Sequence, residues 1–187
     1  MTEKIFWEDN CPLLQEIAGK EWEVYKKDLV ARNLEHMHEP FTDLREMPCG
    51  LYFQREGIED KLDKTYSAVA KEVLGDKIEY KKGTGFLLKI NPLSICIELP
   101  QLGRDETIYL LLSTSVDGLT PEENIKNCAT LIEARTLLIE KGYSLEFEYS
   151  DGSLDYKASP PIKSVAELKS FFTDIEDLVD KQTAEEN

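Results

Sequence analysis

Histidine is almost missing from this chain of 187 residues: only His36 and His38 occur. Nucleophilic catalysis by serine or cysteine needs a nearby general base, most often an imidazole. Such chemistry would have to be built on these two side chains, and no Gly-x-Ser-x-Gly stands in the sequence. The four cysteines, Cys11, Cys49, Cys96 and Cys128, are widely spaced and form no Cys-x-x-Cys pair. That argues against a zinc knuckle and against a thioredoxin-like redox pair. Cys96 and Cys128 lie in apolar patterns and read as reduced core residues, while Cys49, in the irregular stretch Met47-Pro48-Cys49-Gly50, is the thiol with the best access. Gly83-Thr84-Gly85 precedes a strand pattern with no Lys-Ser or Lys-Thr after it, so it lacks both conditions for a phosphate loop. The longest aliphatic stretch, Ile108 to Leu112, is far short of the roughly 20 residues of a membrane-spanning helix. Met1 is followed by polar and charged residues, which gives no sign of a signal peptide and leads to the expectation of a cytoplasmic protein.

Positive charge is also scarce. Lys and Arg number 22 against 37 Asp and Glu, a net charge of −15, and the acidity is strongest in residues 120–187. Such a field repels nucleic acid and anionic membranes and attracts basic protein surfaces. Direct nucleic-acid binding and membrane association are therefore not expected. With 41% hydrophobic residues, the chain can bury a sizeable core and has the composition of an ordinary globular protein.

Periodicity supplies the elements. Leu14, Ile17, Ala18, Trp22, Tyr25 and Leu29, with Pro12 at the start, predict a helix over 12–34. Residues 35–57, punctuated by Pro40, Pro48, Gly50 and Gly57, read as irregular, with Leu51 to Gln54 as a short strand at most. Ile58, Leu62, Tyr66, Val69 and Val73 predict a second helix, ended by Gly75. Three strands follow over 78–90, 94–99 and 107–113, the last nearly all apolar and expected to be central and covered on both faces. Thr120, Pro121 and Glu123 open a helix with a capping box, and Lys141 and Gly142 close it. Tyr143, Leu145, Phe147 and Tyr149 alternate with Ser144, Glu146 and Glu148, the pattern of a strand with one wet face. Asp151-Gly152 turns this strand into a partner that runs to Pro160. Ser164 and Glu167 cap the last helix, whose apolar face is Leu168, Phe171, Phe172, Ile175, Leu178 and Val179. The expected class is α+β, a twisted antiparallel sheet packed with helices in the order α-α-β-β-β-α-β-β-α. It divides into an N-terminal helical and irregular extension, residues 1–57, and an α+β domain, residues 58–187.

From residue 58 onward this order resembles the class I type III secretion chaperones and the related YbjN-like proteins. The points of likeness are the helix Ile58–Leu74, the strands within Ile78–Ser113, the helix Pro121–Lys141, the hairpin Tyr143–Ala158 and the helix Ser164–Asp180. The low pI of about 4.6 agrees. The resemblance is one of topology and charge and covers about two thirds of the chain; residues 1–57 depart from it. It implies a non-enzymatic protein that binds a segment of a partner through exposed apolar strips and strand edges, with a homodimer as the assembly the resemblance suggests.

The candidate contact residues follow from these patterns: Tyr143, Phe147 and Tyr149 on the sheet, the carboxylates Glu146 and Glu148 beside them, and Asp174 and Asp177 on the final helix. The expected function is non-catalytic binding of a protein partner with a basic or apolar segment, as a chaperone, adaptor or inhibitor, with no cofactor. The alternative is an acidic inhibitor whose carboxylates imitate a nucleic-acid backbone and fill the basic cleft of a nucleic-acid enzyme. A third reading rests on Glu35-His36-Met37-His38-Glu39, where alternate histidines of an extended backbone share a side and can both face a metal ion.

Overall fold

The computed structural model describes residues 11–31, 48–81, 85–102, 108–150 and 152–184. His36 and His38 lie outside them. The fold is α+β. Five helices, α1 (Pro12–Ala18), α2 (Lys20–Ala31), α3 (Cys49–Leu74), α4 (Pro121–Glu140) and α5 (Val165–Ala184), accompany six strands among the described residues. The strands are β1 (Glu79–Lys81), β2 (Gly85–Ile90), β3 (Leu93–Glu98), β4 (Tyr109–Ser115), β5 (Glu146–Ser150) and β6 (Ser153–Ala158). They form one antiparallel sheet in the order β1-β2-β3-β4-β6-β5.

Directly opposed residues of an antiparallel pair share a face, so the register sorts the sheet into two sides. One side carries Tyr80, Phe86, Leu88, Ile90, Leu93, Ile95, Ile97, Leu110, Leu112, Leu154, Tyr156, Phe147 and Tyr149. All three long helices meet that side. Tyr80 hydrogen-bonds Asp63 of α3, Phe172 of α5 stands edge-on to Phe86 at 5.3 Å, and Arg135 of α4 lies over the Tyr156 ring. The other side carries Glu79, Leu87, Lys89, Ser94, Cys96, Glu98, Tyr109, Leu111, Lys157, Glu146 and Glu148, and most of these are exposed or half-buried. The expectation that the 107–113 strand is covered on both faces is thus corrected. Leu110, Leu112 and Thr114 are buried, but Tyr109, Leu111 and Ser113 are only half-buried because the helices gather on one side.

Three further element boundaries differ from the sequence reading. The first predicted helix is two helices, broken at Gly19, which takes φ +58°, a conformation that costs glycine little. The second begins at Cys49 and not at Ile58, so Leu51 to Gln54 is helical. Leu51 is 1% exposed, and this burial outweighs the roughly 1 kcal/mol that Gly50 or Gly57 costs a helix. The boundary drawn between residues 57 and 58 therefore falls inside α3. The predicted 78–90 strand is the hairpin β1–β2, with Tyr80 opposite Phe86; Thr84 lies outside the described residues.

The first two helices belong to the same core as the rest: Leu13, Leu14, Trp22 and Leu29 are buried in one cluster with α3, the sheet and α5. Polar contacts fix them. The Val165 amide at the start of α5 donates to Glu16 of α1 at 3.0 Å, and the Gln54 amide donates to Asp28 of α2 at 2.7 Å. The capping box of α4 is complete, with Thr120 and Glu123 accepting each other's backbone amides. At α5 only half of it forms. The Glu167 amide donates to Ser164, but the Glu167 carboxylate accepts from the Lys163 amide instead.

Candidate partner-binding groove

The helical layer stops short of the β5 edge of the sheet. Phe147 and Tyr149, on the same side as the core, remain 58% and 63% exposed. Their alternation with Glu146 and Glu148 was read as one wet face and one covered face; in the fold both faces of β5 meet solvent. Phe147 packs against Tyr156 of β6, ring centroids 5.4 Å apart. Arg135 of α4 lies over the Tyr156 ring, its guanidinium carbon 5.3 Å from the ring centroid.

The flank of α4 that turns toward these rings is apolar as well. Leu131, Ala134 and Leu138 point into the core. Ile125, Ile132 and Ile139 repeat every seven residues about a third of a turn away, and they are 72%, 52% and 42% exposed. Ile132 precedes Arg135 by three residues and Ile139 follows it by four, so both are its neighbours on the helix surface. The contact of Arg135 with Tyr156 therefore links Ile132 and Ile139 on the α4 surface to Tyr156 and Phe147 on the sheet, with Tyr149 two residues further along β5. The backbone on the outer side of β5, the last strand of the sheet, has no strand beside it among the described residues, and such an edge is a template for an added strand.

The opposite flank of α4 is polar. It lines a cleft of about 570 Å³ with Lys126, Thr130 and Glu133, facing Asn91, Pro92 and Gln182. A second apolar hollow, about 330 Å³, lies between α2 and α3 around Val24, Phe53 and Ile58.

The seven residues singled out from sequence fall in three places. Phe147 and Tyr149 are in the groove. Glu146 and Glu148 are on the outer face of the same strand, and Glu148 is ion-paired with Lys157 of β6. Tyr143, Asp174 and Asp177 are elsewhere, where α4 ends against α5. There the Lys141 ammonium donates to Asp174 at 2.8 Å and to Asp177 at 2.6 Å. The Tyr143 hydroxyl donates to Asp174 at 2.7 Å, and its ring meets Phe171. This cluster clamps two helices together. The groove residues that sequence reading missed, Ile132, Arg135 and Ile139, had a signal: the apolar face of α4 is wider than one packed side can use. Cys49 is exposed at the first turn of α3. No group of three or more metal-ligating side chains occurs among the described residues.

Burial, with the Asp174 carboxylate alongside, holds the Tyr143 phenol well above its ordinary range. Burial raises Tyr66 likewise, and the two aspartates raise Lys141. Below pH ~10 folded and unfolded chains both keep these protons. Above it the unfolded chain releases them while the folded chain holds them, so the slope of stability against pH is negative. The melting temperature is expected to fall steeply from pH ~10 upward, and Tyr143→Phe to flatten that fall. Unfolding curves at pH 8 to 11 check this; an equal fall in wild type and variant would contradict it.

Comparison with known proteins finds no family model and no curated sequence that matches this chain. No described helix is long and apolar enough to cross a membrane.

Proposed function

We propose that this protein is a non-catalytic acidic binding module that holds an apolar segment with basic flanks, supplied by a partner protein, in the groove between α4 and the β5–β6 hairpin. It would act as a chaperone, adaptor or inhibitor. The observation that carries the reading is the exposed apolar surface itself: Ile125, Ile132 and Ile139 on α4 and Phe147 and Tyr149 on β5, bridged by the contact of Arg135 with Tyr156. Contiguous apolar surface of this kind marks an interaction site. A segment entering it can add to β5 as a further strand, with backbone bonds supplying affinity and alternate side chains meeting Phe147 and Tyr149. The resemblance of element order to secretion chaperones supports the same reading, as an analogy of fold.

Charge selects the occupant. The net charge of −15 steers basic segments toward the protein, and Glu146 and Glu148 stand on the outer face of the strand that receives them. Antiparallel pairing with a second copy, centred on Phe147 or Glu148, would set glutamate against glutamate across the junction, which is destabilising. A heterologous partner therefore fits this edge better than a homodimer does. The alternative of nucleic-acid mimicry is less well supported, because Asp174, Asp177, Asp180 and Glu148 are already joined to Lys141, Lys77 and Lys157.

The test compares immobilised wild type with Ile132→Asp/Phe147→Asp in a native lysate washed at low and high salt. A protein held by the wild type at high salt and lost from the variant is the expected result. Identical retention by both chains would overturn the reading, and a basic nucleic-acid enzyme retained by both but released by salt would favour mimicry.

A further inference from the structure

We infer that Arg135 is the specificity-determining residue of this groove and that it takes a carboxylate from the bound segment; the inference rests on the groove being the binding surface. Its surroundings are unlike those of the other paired cations. Arg55 binds Glu59 and the Leu102 carbonyl at 2.8 and 2.7 Å, and Lys61, Lys77, Lys141, Lys157 and Lys169 each meet a carboxylate. Arg135 meets none among the described residues. Its contact is the Tyr156 ring, and its Nε is buried without a hydrogen-bond partner.

The cause is local sequence. Side chains reach one another along a helix at spacings of three and four, and those positions around Arg135 are Leu131, Ile132, Leu138 and Ile139. The sheet side offers Tyr156, with Phe147 behind it. A guanidinium is thus held half-buried among apolar groups, in a chain with 37 carboxylate side chains, with no acid among the described residues paired to it.

A guanidinium presents its N–H donors in a planar fork that matches a carboxylate with two parallel bonds, and stacking on an aromatic ring fixes the plane of that fork. Leaving its buried Nε unpaired is unfavourable. A segment that closed the groove with apolar side chains alone would bury Arg135 further and leave its donors unmet. A segment carrying one carboxylate between apolar residues satisfies the donors and gains a charge-assisted bond in a site sheltered from water. The protein's net charge opposes that acid at long range, so basic residues are placed at the flanks and the single acid at Arg135. A monoanionic carboxylate fits this field better than a phosphate dianion does.

Two random twelve-residue peptide libraries displayed on phage provide the probe, one fused through the peptide C-terminus and one presenting a free C-terminus. Each is panned against wild type, Arg135→Gln and Arg135→Lys. On the wild type, apolar peptides with one favoured Asp or Glu position are expected, and synthetic Glu-to-Gln versions should bind about tenfold or more weakly. Arg135→Gln should erase that difference, and Arg135→Lys, which keeps the charge, should retain part of it. Enrichment confined to the free-C-terminus library, and dependent on Arg135, assigns the carboxylate to a chain end and supports the same pairing. Apolar peptides with no acidic preference, or with one that survives Arg135→Gln, would overturn the pairing while leaving the groove as a binding surface. No enrichment in either library would overturn the groove reading together with the pairing.

Discussion

Truncating Phe172 to alanine is expected to lower stability by about 3–5 kcal/mol. Phe172 is fully buried. It stands edge-on to Phe86 of β2 at 5.3 Å and tilted against Phe171 at 5.6 Å, so one ring joins the last helix to β2 of the sheet. Its removal opens a cavity that the paired rings, held by α3 and the neighbouring strands, cannot collapse to fill. The lost dispersion contacts then add to the lost transfer energy. For a protein of this size each kcal/mol moves the melting temperature by roughly 2–4 °C, so the variant should melt on the order of 10 °C lower. Chemical unfolding followed by circular dichroism measures the effect. A loss below about 1 kcal/mol would mean that α5 does not pack on the sheet through this residue.

The double variant Ile132→Ala/Phe147→Ala is expected to have the opposite profile: stability nearly unchanged, binding strongly impaired. Both side chains are more than half exposed, and substitutions at such positions usually move stability by no more than about 0.5 kcal/mol each. Alanine is also the best helix former at position 132. In a bound complex the same two side chains sit at the centre of the strip, where truncation of an anchoring apolar residue costs about 2 kcal/mol or more, a factor of roughly 30 in affinity. Phe53→Ala, at the separate hollow between α2 and α3, serves as the control and should leave affinity unaltered. Titration calorimetry with the tightest library peptide distinguishes the cases. Equal affinity in wild type and double variant, with weakened binding by Phe53→Ala, would move the binding surface to the other hollow.

Sequence alone was a good guide wherever a local chemical signal marked an element. Thr120, Pro121 and Glu123 open α4 where expected, Gly142 closes it, and β5 and β6 pair as a hairpin with Gly152 at a positive φ beside the turn. It failed where a long-range contact overrides local preference. Gly50 and Gly57 speak against helix, yet burial of Leu51 and Ile58 carries α3 through both. The break at Gly19 was hidden because the apolar spacing from Leu14 to Leu29 continues across it.

The groove was only partly legible for the same reason. Alternation on β5 sorts Phe147 and Tyr149 from Glu146 and Glu148. Whether that apolar side is covered depends on β6 inserting between β4 and β5, which moves β5 one strand further from the helices. Pairing of that kind is set by contacts distant in sequence and leaves no local trace. The apolar face of α4 is ambiguous in sequence for a related reason. A wide apolar face looks the same in sequence whether a neighbour covers all of it or only the part at Leu131, Ala134 and Leu138.

Isoleucine methyl resonances offer the most direct test of the groove. The protein, labelled at isoleucine δ1 methyls, is titrated with the tightest peptide from the libraries. The resonances of Ile132 and Ile139 should move and saturate together, with Ile125 following at the end of the strip, while Ile95, Ile97 and Ile175 in the core and Ile58 beside the α2–α3 hollow stay in place. Saturating shifts at Ile58 that spare Ile132 and Ile139 would contradict the account.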